Sequence, residues 1–304
     1  KDFLLTGYWC LRYAPNSHYF IGVNNFNSFS GLILKSLGKV REVIFYTIDY
    51  VPNRFENKIM NGIYHWLDRF VVSNSLRIWN LSNQMVGERE KRGVDKKFRE
   101  KQIVVPIGTD IYRKPLYFDK IKRKKLVFMG HLREGQGVDV LVSSMRNVCQ
   151  KVPDAKLYVI GGGPLEKNLN AMVKKLSLQN NIKFTGFIGD FEDVRKLLRD
   201  AAFAVAPYSD DKRSYTRYTD PGKPKDYLSL GLPVIITKVP QVAFLIDAKN
   251  CGIAISYSEK ELSQAILKLL RDDKLLRQMR LNAFKLAKDY SWDKIFNKAL
   301  RLSL

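Results

Sequence analysis

The sequence predicts an α/β protein built on doubly wound parallel sheets. Three observations support this prediction: strands alternate with helices, the strands are continuous apolar runs, and glycine follows several of them. Helices cover both faces of a parallel sheet, so its strands are apolar throughout instead of alternating with polar residues. Ligands of such folds bind beyond the carboxyl ends of the strands.

Four strand-and-loop units follow one another in the second half of the chain. The predicted strands are residues 125–129, 155–160, 182–187 and 202–207. Glycine stands at the carboxyl end of the first three, as Gly130, the run 161–163 and Gly186. Because these ends share one edge of the sheet, the loops are expected to surround a single ligand site.

The segment 219–237 is the most informative stretch of the chain. It predicts a loop with Pro221, a short helix that begins near Lys223, a stop at Gly231 and a buried strand over 234–237. A helix start offers free N–H groups and the positive end of a dipole, and Lys223 adds an ammonium. This combination suits a phosphate group, but an ordinary loop, helix and strand would have the same pattern.

The order of these motifs resembles the carboxyl-terminal half of the GT-B glycosyltransferases, most closely the retaining family 4. The matching segments, within residues 103–304, are FMGHL (128–132), GGGP (161–164), FTGF (184–187), PYS (207–209), DYLSLGLPV (226–234) and YSW (290–292). No single motif is specific, and the weight lies in their shared order over one domain.

The resemblance implies two Rossmann-like doubly wound domains that face a crevice. The expected boundaries are 1–112 for an acceptor-side domain, 113–124 for a basic linker and 125–304 for a nucleotide-sugar domain. The first domain is expected to be truncated or unusually small, because it lacks several strand–helix units and an opening glycine loop.

The resemblance also implies the reaction. A hexosyltransferase would move a sugar from a nucleotide-sugar donor to a hydroxyl of a glycan or a lipid-linked acceptor, with retention of the anomeric configuration. The departing phosphate would help to deprotonate the acceptor. The nucleotide-sugar is a substrate, and no cofactor and no metal site is expected.

The resemblance assigns site residues as well. Those expected at the donor diphosphate and ribose are Gly130, His131, Arg133, Asp220, Gly222, Lys223, Asp226 and Tyr227. Those expected at the base are Gly186, Phe187 and Ile188. Asp49, after a strand of the first domain, and Lys223 are the expected catalytic residues.

Two positions of the first loop depart from the family pattern. The family usually has an arginine directly after the glycine and a lysine before the second glycine, and this chain has His131 and Gln136 there. Arg133 is the candidate replacement for the missing charge. Asp226 stands in place of a glutamate and is expected to bond the ribose hydroxyls. These departures bear on the identity of the donor and on activity itself.

Composition limits the alternatives. The chain has 304 residues, enough for two domains, and a net charge of +22 from 52 basic and 30 acidic residues. The excess is spread over both halves and is densest in the run 120–125, so specific nucleic-acid binding is not expected. It is either background or an attraction to anionic membranes. The three cysteines match no metal or redox spacing.

Two other classes of function stay open at this point. One is a GT-B enzyme that does not transfer, such as a nucleotide-sugar epimerase, and the other is a basic membrane-binding or nucleic-acid-binding protein. A cytoplasmic location is expected, with attachment at the cytoplasmic membrane face if the charge is functional.

The first third of the chain gives weaker patterns. Strands are predicted over 18–23, 42–50, 70–72 and 79–81, and a helix over 54–70. The apolar stripe of that helix is expected to face the core. Its members are Ile59, Ile63, Trp66, Leu67 and Phe70.

Overall fold

The computed structural model describes residues 2–48, 50–111, 114–211 and 215–304. The chain divides into two compact units. The first consists of Lys1–Ile107, Arg217–Asp220 and Asp293–Leu304, and the second of Gly108–Thr216 and Pro221–Trp292. The closing residues of the chain therefore lie in the first unit, whereas the expected boundaries placed them in the second.

The first unit contains a four-stranded parallel sheet. Its strands, in spatial order, are β1 (Ser17–Val23), β2 (Val40–Thr47), β3 (Arg77–Asn80) and β4 (Gln102–Val104). Its helices are α1 (Asp2–Tyr13), α2 (Asn24–Ser36), α3 (Lys58–Asn74) and α4 (Asn83–Lys91), with a 3₁₀ turn over Lys96–Lys101. The last helix of the chain, α12 (Trp292–Ser303), belongs almost wholly to this unit, and its Ser303 Oγ accepts a hydrogen bond from the Trp79 indole at 2.9 Å.

A buried arginine links the elements of this unit. The Arg89 guanidinium on α4 donates to both carboxylate oxygens of Asp68 on α3, at 2.8 and 3.0 Å. It also donates to Thr47 Oγ1 at the end of β2, at 2.7 Å, and to the Asn80 side chain at the end of β3. Breaking such a buried pair is costly because it leaves an uncompensated charge.

The predicted core stripe of α3 is wrong. Leu67 is buried, but the other four residues are exposed, and Ile59 most of all at 75%. The opposite side faces inward, where Asp68 pairs with Arg89 and the His65 ring bonds to the Pro52 carbonyl oxygen at 2.8 Å. Polar residues with buried partners mark the inner face, so the apolar period pointed to the wrong side. The predicted strand over 70–72 is likewise the last part of α3.

The second unit contains a six-stranded parallel sheet in the order β10-β9-β8-β5-β6-β7. Its strands are β5 (Lys122–Met129), β6 (Lys156–Ile160), β7 (Ile182–Phe184), β8 (Ala201–Ala206), β9 (Val234–Thr237) and β10 (Gly252–Ile255). Its helices are α5 (Val138–Lys151), α6 (Glu166–Lys175), α7 (Phe191–Arg199), α8 (Lys223–Ser229), α9 (Val242–Ala248), α10 (Glu259–Arg271) and α11 (Asp273–Ala287). Short 3₁₀ turns cover Phe118–Lys120, Tyr215–Arg217 and Lys288–Tyr290.

The predicted α/β class with parallel sheets is confirmed, and the apolar strands form the core of the second unit. Every residue of β8 is buried, and α5 and α10 pack against the same cluster. Strand order places β8 and β5 side by side in the centre, so the chain changes winding direction there. Ligand sites of such sheets lie at the carboxyl ends next to this point.

The basic run that was expected to be a linker is mostly strand β5. Its Lys122 and Lys125 both pair with Asp200, and Lys124 pairs with Asp154. Lys125 is buried and also donates to the Leu197 carbonyl oxygen at 2.7 Å. These charges are compensated within the unit, so this run offers little free charge to a membrane.

Candidate functional site

Three loops at the carboxyl edge of the second sheet are joined through their backbones. Gly130 N donates to Ile160 O at 2.8 Å, and Leu132 N donates to Gly162 O at 2.9 Å, which ties the loops after β5 and β6. Gly161 N donates to Gly186 O at 3.0 Å, which adds the loop after β7. The predicted convergence of these loops at one edge is present, as a continuous backbone surface.

This surface requires residues without side chains. Gly161 has φ +128°, and a Cβ there would lie 2.1 Å from the Gly130 carbonyl oxygen. Gly130 has φ +155°, and a Cβ there would lie 2.1 Å from the Lys223 ammonium nitrogen. A side chain at either position would therefore separate the loops or displace Lys223.

Lys223 is the first residue of α8 and lies against the first loop. Its Nζ donates to Gln136 Oε1 at 2.6 Å and lies 5.7 Å from the centre of the Phe128 ring. Burial lowers the pKa of Lys223 to about 8, and the charge of Arg133 lowers it further. In the described residues no carboxylate offsets this effect, so the ammonium is a half-buried charge that an anion would stabilise.

A second cation stands beside it. The Arg133 guanidinium donates to the Tyr215 hydroxyl and lies 4.8 Å from the centre of its ring. Gln136, itself buried, donates its amide to the same hydroxyl at 3.3 Å. Gln136 thus connects Lys223 with Tyr215 and Arg133. Sequence reasoning treated Gln136 only as a missing charge and did not find Tyr215, a single aromatic residue in a polar loop.

Asp226 and Tyr227 follow on α8 and differ in their surroundings. Asp226 Oδ1 accepts a hydrogen bond from Thr109 Oγ1 at 2.7 Å, and burial raises the pKa of Asp226. The Tyr227 hydroxyl is buried and accepts from Met129 N at 2.7 Å, directly before Gly130. The predicted contact of Tyr227 with the donor is therefore corrected to the positioning of the first loop.

The remaining predicted residues lie in different places. Gly186 has φ +70° and precedes Phe187, whose side chain is 83% exposed, while Ile188 is half-buried. His131 is exposed, and Gly222 directly precedes α8.

Two predicted residues are not part of this edge. Asp220 is buried in the first unit and accepts from Ile107 N at 2.9 Å, so the structure does not group it with the second unit's edge. Asp49 lies outside the described residues.

A cleft of about 790 Å³ adjoins the first loop. It is lined by Arg133, Glu134, Gly135, Asp139, Leu165, Asn168, Leu169, Met172, Ser209, Asp211, Tyr215 and Tyr257. Its volume suits a small molecule, and it shares Arg133 and Tyr215 with the cation cluster, but Lys223 does not line it. In the described residues no group of three or more His, Cys, Asp or Glu side chains is arranged to hold a metal ion.

Comparison with known proteins assigns the family. Residues 123–272 match the family described as "Glycosyl transferases group 1", and the match covers strands β5 to β10 with all the loops of this edge. Through this region the chain belongs to the group 1 glycosyltransferases.

Named relatives agree with this assignment. An uncharacterized glycosyltransferase of Haemophilus influenzae is 23% identical over 216 residues, 69% of this chain and 58% of the relative. The lipopolysaccharide glucosyltransferase WaaG of Escherichia coli is 24% identical over 191 residues, 62% of this chain and 47% of the relative. The chain thus spans about half the length of the curated relatives it matches.

Solved structures share the fold. The S. aureus TarM structure in complex with fondaparinux, alpha-GlcNAc-glycerol and UDP has a TM-score of 0.74 at 15% identity, over 100% of this chain and 59% of that one. Anabaena HepE in complex with UDP has a TM-score of 0.77 at 13% identity, over 98% and 80%. The fold is that of the GT-B glycosyltransferases.

The burial of Lys223 predicts a pH effect on stability. Its pKa is about 8 in the folded protein against an ordinary 10.5, so the unfolded chain binds more protons between these values and stability rises with pH there. We expect the thermal midpoint of the wild type to rise relative to that of Lys223→Met from pH 8 to pH 10.

Lys249→Met, at an exposed lysine after α9, is the matched control, and its difference from the wild type should stay level. Parallel pH curves for Lys223→Met and the wild type would show that the Lys223 ammonium is not destabilised by burial.

Proposed function

We propose that this chain transfers a sugar from a nucleoside-diphosphate sugar to an acceptor hydroxyl, and that the donor binds along the carboxyl edge of the second sheet. The carrying observation is the half-buried Lys223 ammonium, which lies against a glycine surface with Arg133 nearby and no compensating carboxylate in the described residues. A diphosphate would supply the missing negative charge.

The chemistry of transfer fits such a site. As the bond between sugar and phosphate breaks, negative charge grows on the leaving diphosphate, and preorganised cations stabilise that charge most where water is excluded. Lys223 and Arg133 are proposed to do this, and the backbone of Gly130 and Gly222 to allow the phosphates to approach. Transfer with retention and a catalytic role for Asp49 stay predictions.

Asp226 is proposed to bond the ribose. A carboxylate has two oxygens and about four acceptor sites, and Thr109 occupies one of them. The bond from Thr109 fixes the direction of the carboxylate and leaves acceptor capacity for ribose hydroxyls. The raised pKa of Asp226 also means that a hydrogen-bonding partner for its charged form would be stabilising.

The base is proposed to lie at Gly186, Phe187 and Ile188, where the exposed Phe187 ring offers a stacking surface. Two relatives indicate the acceptor class by their names: the alpha-monoglucosyldiacylglycerol synthase of Streptococcus pneumoniae and the lipopolysaccharide glucosyltransferase of Escherichia coli. A glycan or lipid-linked acceptor is proposed for this chain on that ground.

The first test is a thermal-shift screen with UDP, GDP, ADP and CMP, followed by titration of Lys223→Ala with the best diphosphate and its nucleoside. A ligand that binds only the folded protein raises the midpoint. Lys223→Ala should weaken the diphosphate about 10-fold or more, because charged hydrogen bonds are the stronger kind, and should barely affect the nucleoside.

Lys238→Ala, at an exposed lysine after β9, should bind both ligands like the wild type. Equal losses for diphosphate and nucleoside in Lys223→Ala would remove Lys223 from the phosphate site. Isomerised or hydrolysed donor without a glycosylated acceptor would favour an epimerase-type enzyme.

The role of Asp226 predicts a dependence on the ribose hydroxyls. The wild type should bind a 2′-deoxy nucleoside diphosphate about 10-fold more weakly than the ribonucleotide, and Asp226→Asn should discriminate far less. Thr109→Val should lie between the two, because it removes only the bond that orients the carboxylate. The same ratio of affinities in wild type and Asp226→Asn would leave Asp226 a structural role.

Peripheral contact with anionic membranes is proposed as a second property. The net charge of +22 supports it, and so does the exposed face of α3, where Trp66 and Phe70 stack 5.9 Å apart. Within the described residues no helix combines the length and the apolar character that crossing a bilayer requires. The cytoplasmic location stays a prediction.

Flotation with liposomes tests this contact. We expect the chain to float with vesicles that contain phosphatidylglycerol, to float less with neutral vesicles, and to dissociate at a few hundred millimolar salt, because exposed charges are screened beyond about 8 Å at physiological ionic strength. Trp66→Ser should weaken flotation, and Phe244→Ser, at an exposed residue of the second unit, should not. Equal flotation with both lipid mixtures at low salt would leave the charge as background.

A further inference from the structure

A second cleft of the second unit lies between the segment 114–118 and helix α11. Its volume is about 320 Å³, at the small end of the range for ligand pockets. It is lined by Lys114, Pro115, Leu116, Tyr117, Phe118, Arg277, Arg280 and Leu281. Arg277, Arg280 and Leu281 stand three and four residues apart on α11 and so share one face of the helix.

This cleft is distinct from the proposed donor edge. The Arg280 Nη1 donates to the carbonyl oxygens of Ala201 and Ala202, at 2.8 and 2.9 Å, and these residues begin β8. The donor residues follow the carboxyl ends of the strands. With 6 residues in β8 and a rise of about 3.3 Å per residue, the two edges are roughly 16 Å apart.

The cleft carries uncompensated positive charge. Arg280 is only 5% exposed, and its Nη2 has no hydrogen-bond partner in the part of the chain that the structure describes. Burial lowers the pKa of Arg280 to about 10. Lys114 and Arg277 also line the cleft, whereas no acidic residue does. A buried cation without a partner is destabilising, and a nearby anion relieves that cost.

The remaining wall is apolar and partly open. The Phe118 ring lies 4.3 Å from the guanidinium carbon of Arg277, and Tyr117 and Leu281 expose most of their side chains. Pro115 and Leu116 are half-buried beside them. A ligand that covered these side chains would gain about 25 cal/mol for each Å² of apolar surface removed from water.

From this combination we infer that the cleft binds a small amphipathic carboxylate, with its charged group at Arg277 and Arg280 and its apolar body on Leu116, Phe118 and Leu281. A planar carboxylate has two oxygens, which the guanidinium groups can satisfy. A phosphate group has more oxygens and more charge, and this wall offers few further donors. The geometry therefore favours a carboxylate with an apolar tail of modest length.

Calorimetric titration with octanoate tests the inference, with 1-octanol and inorganic phosphate as the other probes. We expect saturable binding of octanoate with one site per chain, and binding weaker by about 10-fold or more for both 1-octanol and phosphate. Saturating the protein with its nucleoside diphosphate should leave octanoate binding in place, because the two sites lie at opposite edges of the sheet.

The variants avoid the fold-bearing Arg280. Arg277→Gln removes an exposed lining charge and should weaken octanoate about 10-fold, and Leu281→Ser should weaken it through the lost apolar contact. Lys285→Gln, the same kind of change on α11 outside the cleft, should bind like the wild type.

Four results would overturn the inference. They are octanoate binding that Arg277→Gln leaves unchanged, phosphate binding as tight as octanoate binding, displacement of octanoate by the nucleoside diphosphate, and absence of octanoate binding to the wild type at millimolar concentration.

Discussion

Bare backbone at the carboxyl edge of the six-stranded sheet is the constraint on which the proposed site depends. The second loop can approach the Gly130 carbonyl because Gly161 has no Cβ, and Lys223 can lie over the first loop because Gly130 has none. Tyr227 fixes the same loop from below through its bond to Met129 N. The position of the ammonium is therefore set by backbone packing, and the charge follows from where the glycines stand.

Gln136 and Lys223 have to be considered together. The family pattern has a lysine at position 136, and in this chain the Gln136 side-chain oxygen lies 2.6 Å from the Lys223 ammonium. A lysine there would place a second ammonium beside Lys223, already half-buried with Arg133 near, and like charges disfavour each other's charged form. Gln136 instead accepts from Lys223 and donates to Tyr215. The departure thus moves the cation from the first loop to α8 without removing charge from the edge.

Much of the second unit could be predicted from sequence, because local signals and burial agree there. Helix α7 and strand β9 begin and end at the predicted residues, and the glycines after β5, β6 and β7 mark the edge. The first unit was harder. Asp68 and His65 of α3 face inward only because Arg89 and the Pro52 carbonyl, distant in sequence, meet them there. Tyr215 joins the cluster through contacts 79 and 82 residues away, which no local pattern records.

The net charge of +22 also has a more specific meaning in the structure than in the sequence. The densest basic run is strand β5, and Asp154 and Asp200 compensate three of its lysines. The cations that stand without a carboxylate are fewer and half-buried or buried: Lys223 at one edge of the second sheet and Arg280 at the other. Burial makes each of them costly to keep, so an anion at either position returns more stability than it would at an exposed lysine. Binding of anions is thus written in the burial of single cations, and the total charge describes only the field through which such ligands approach.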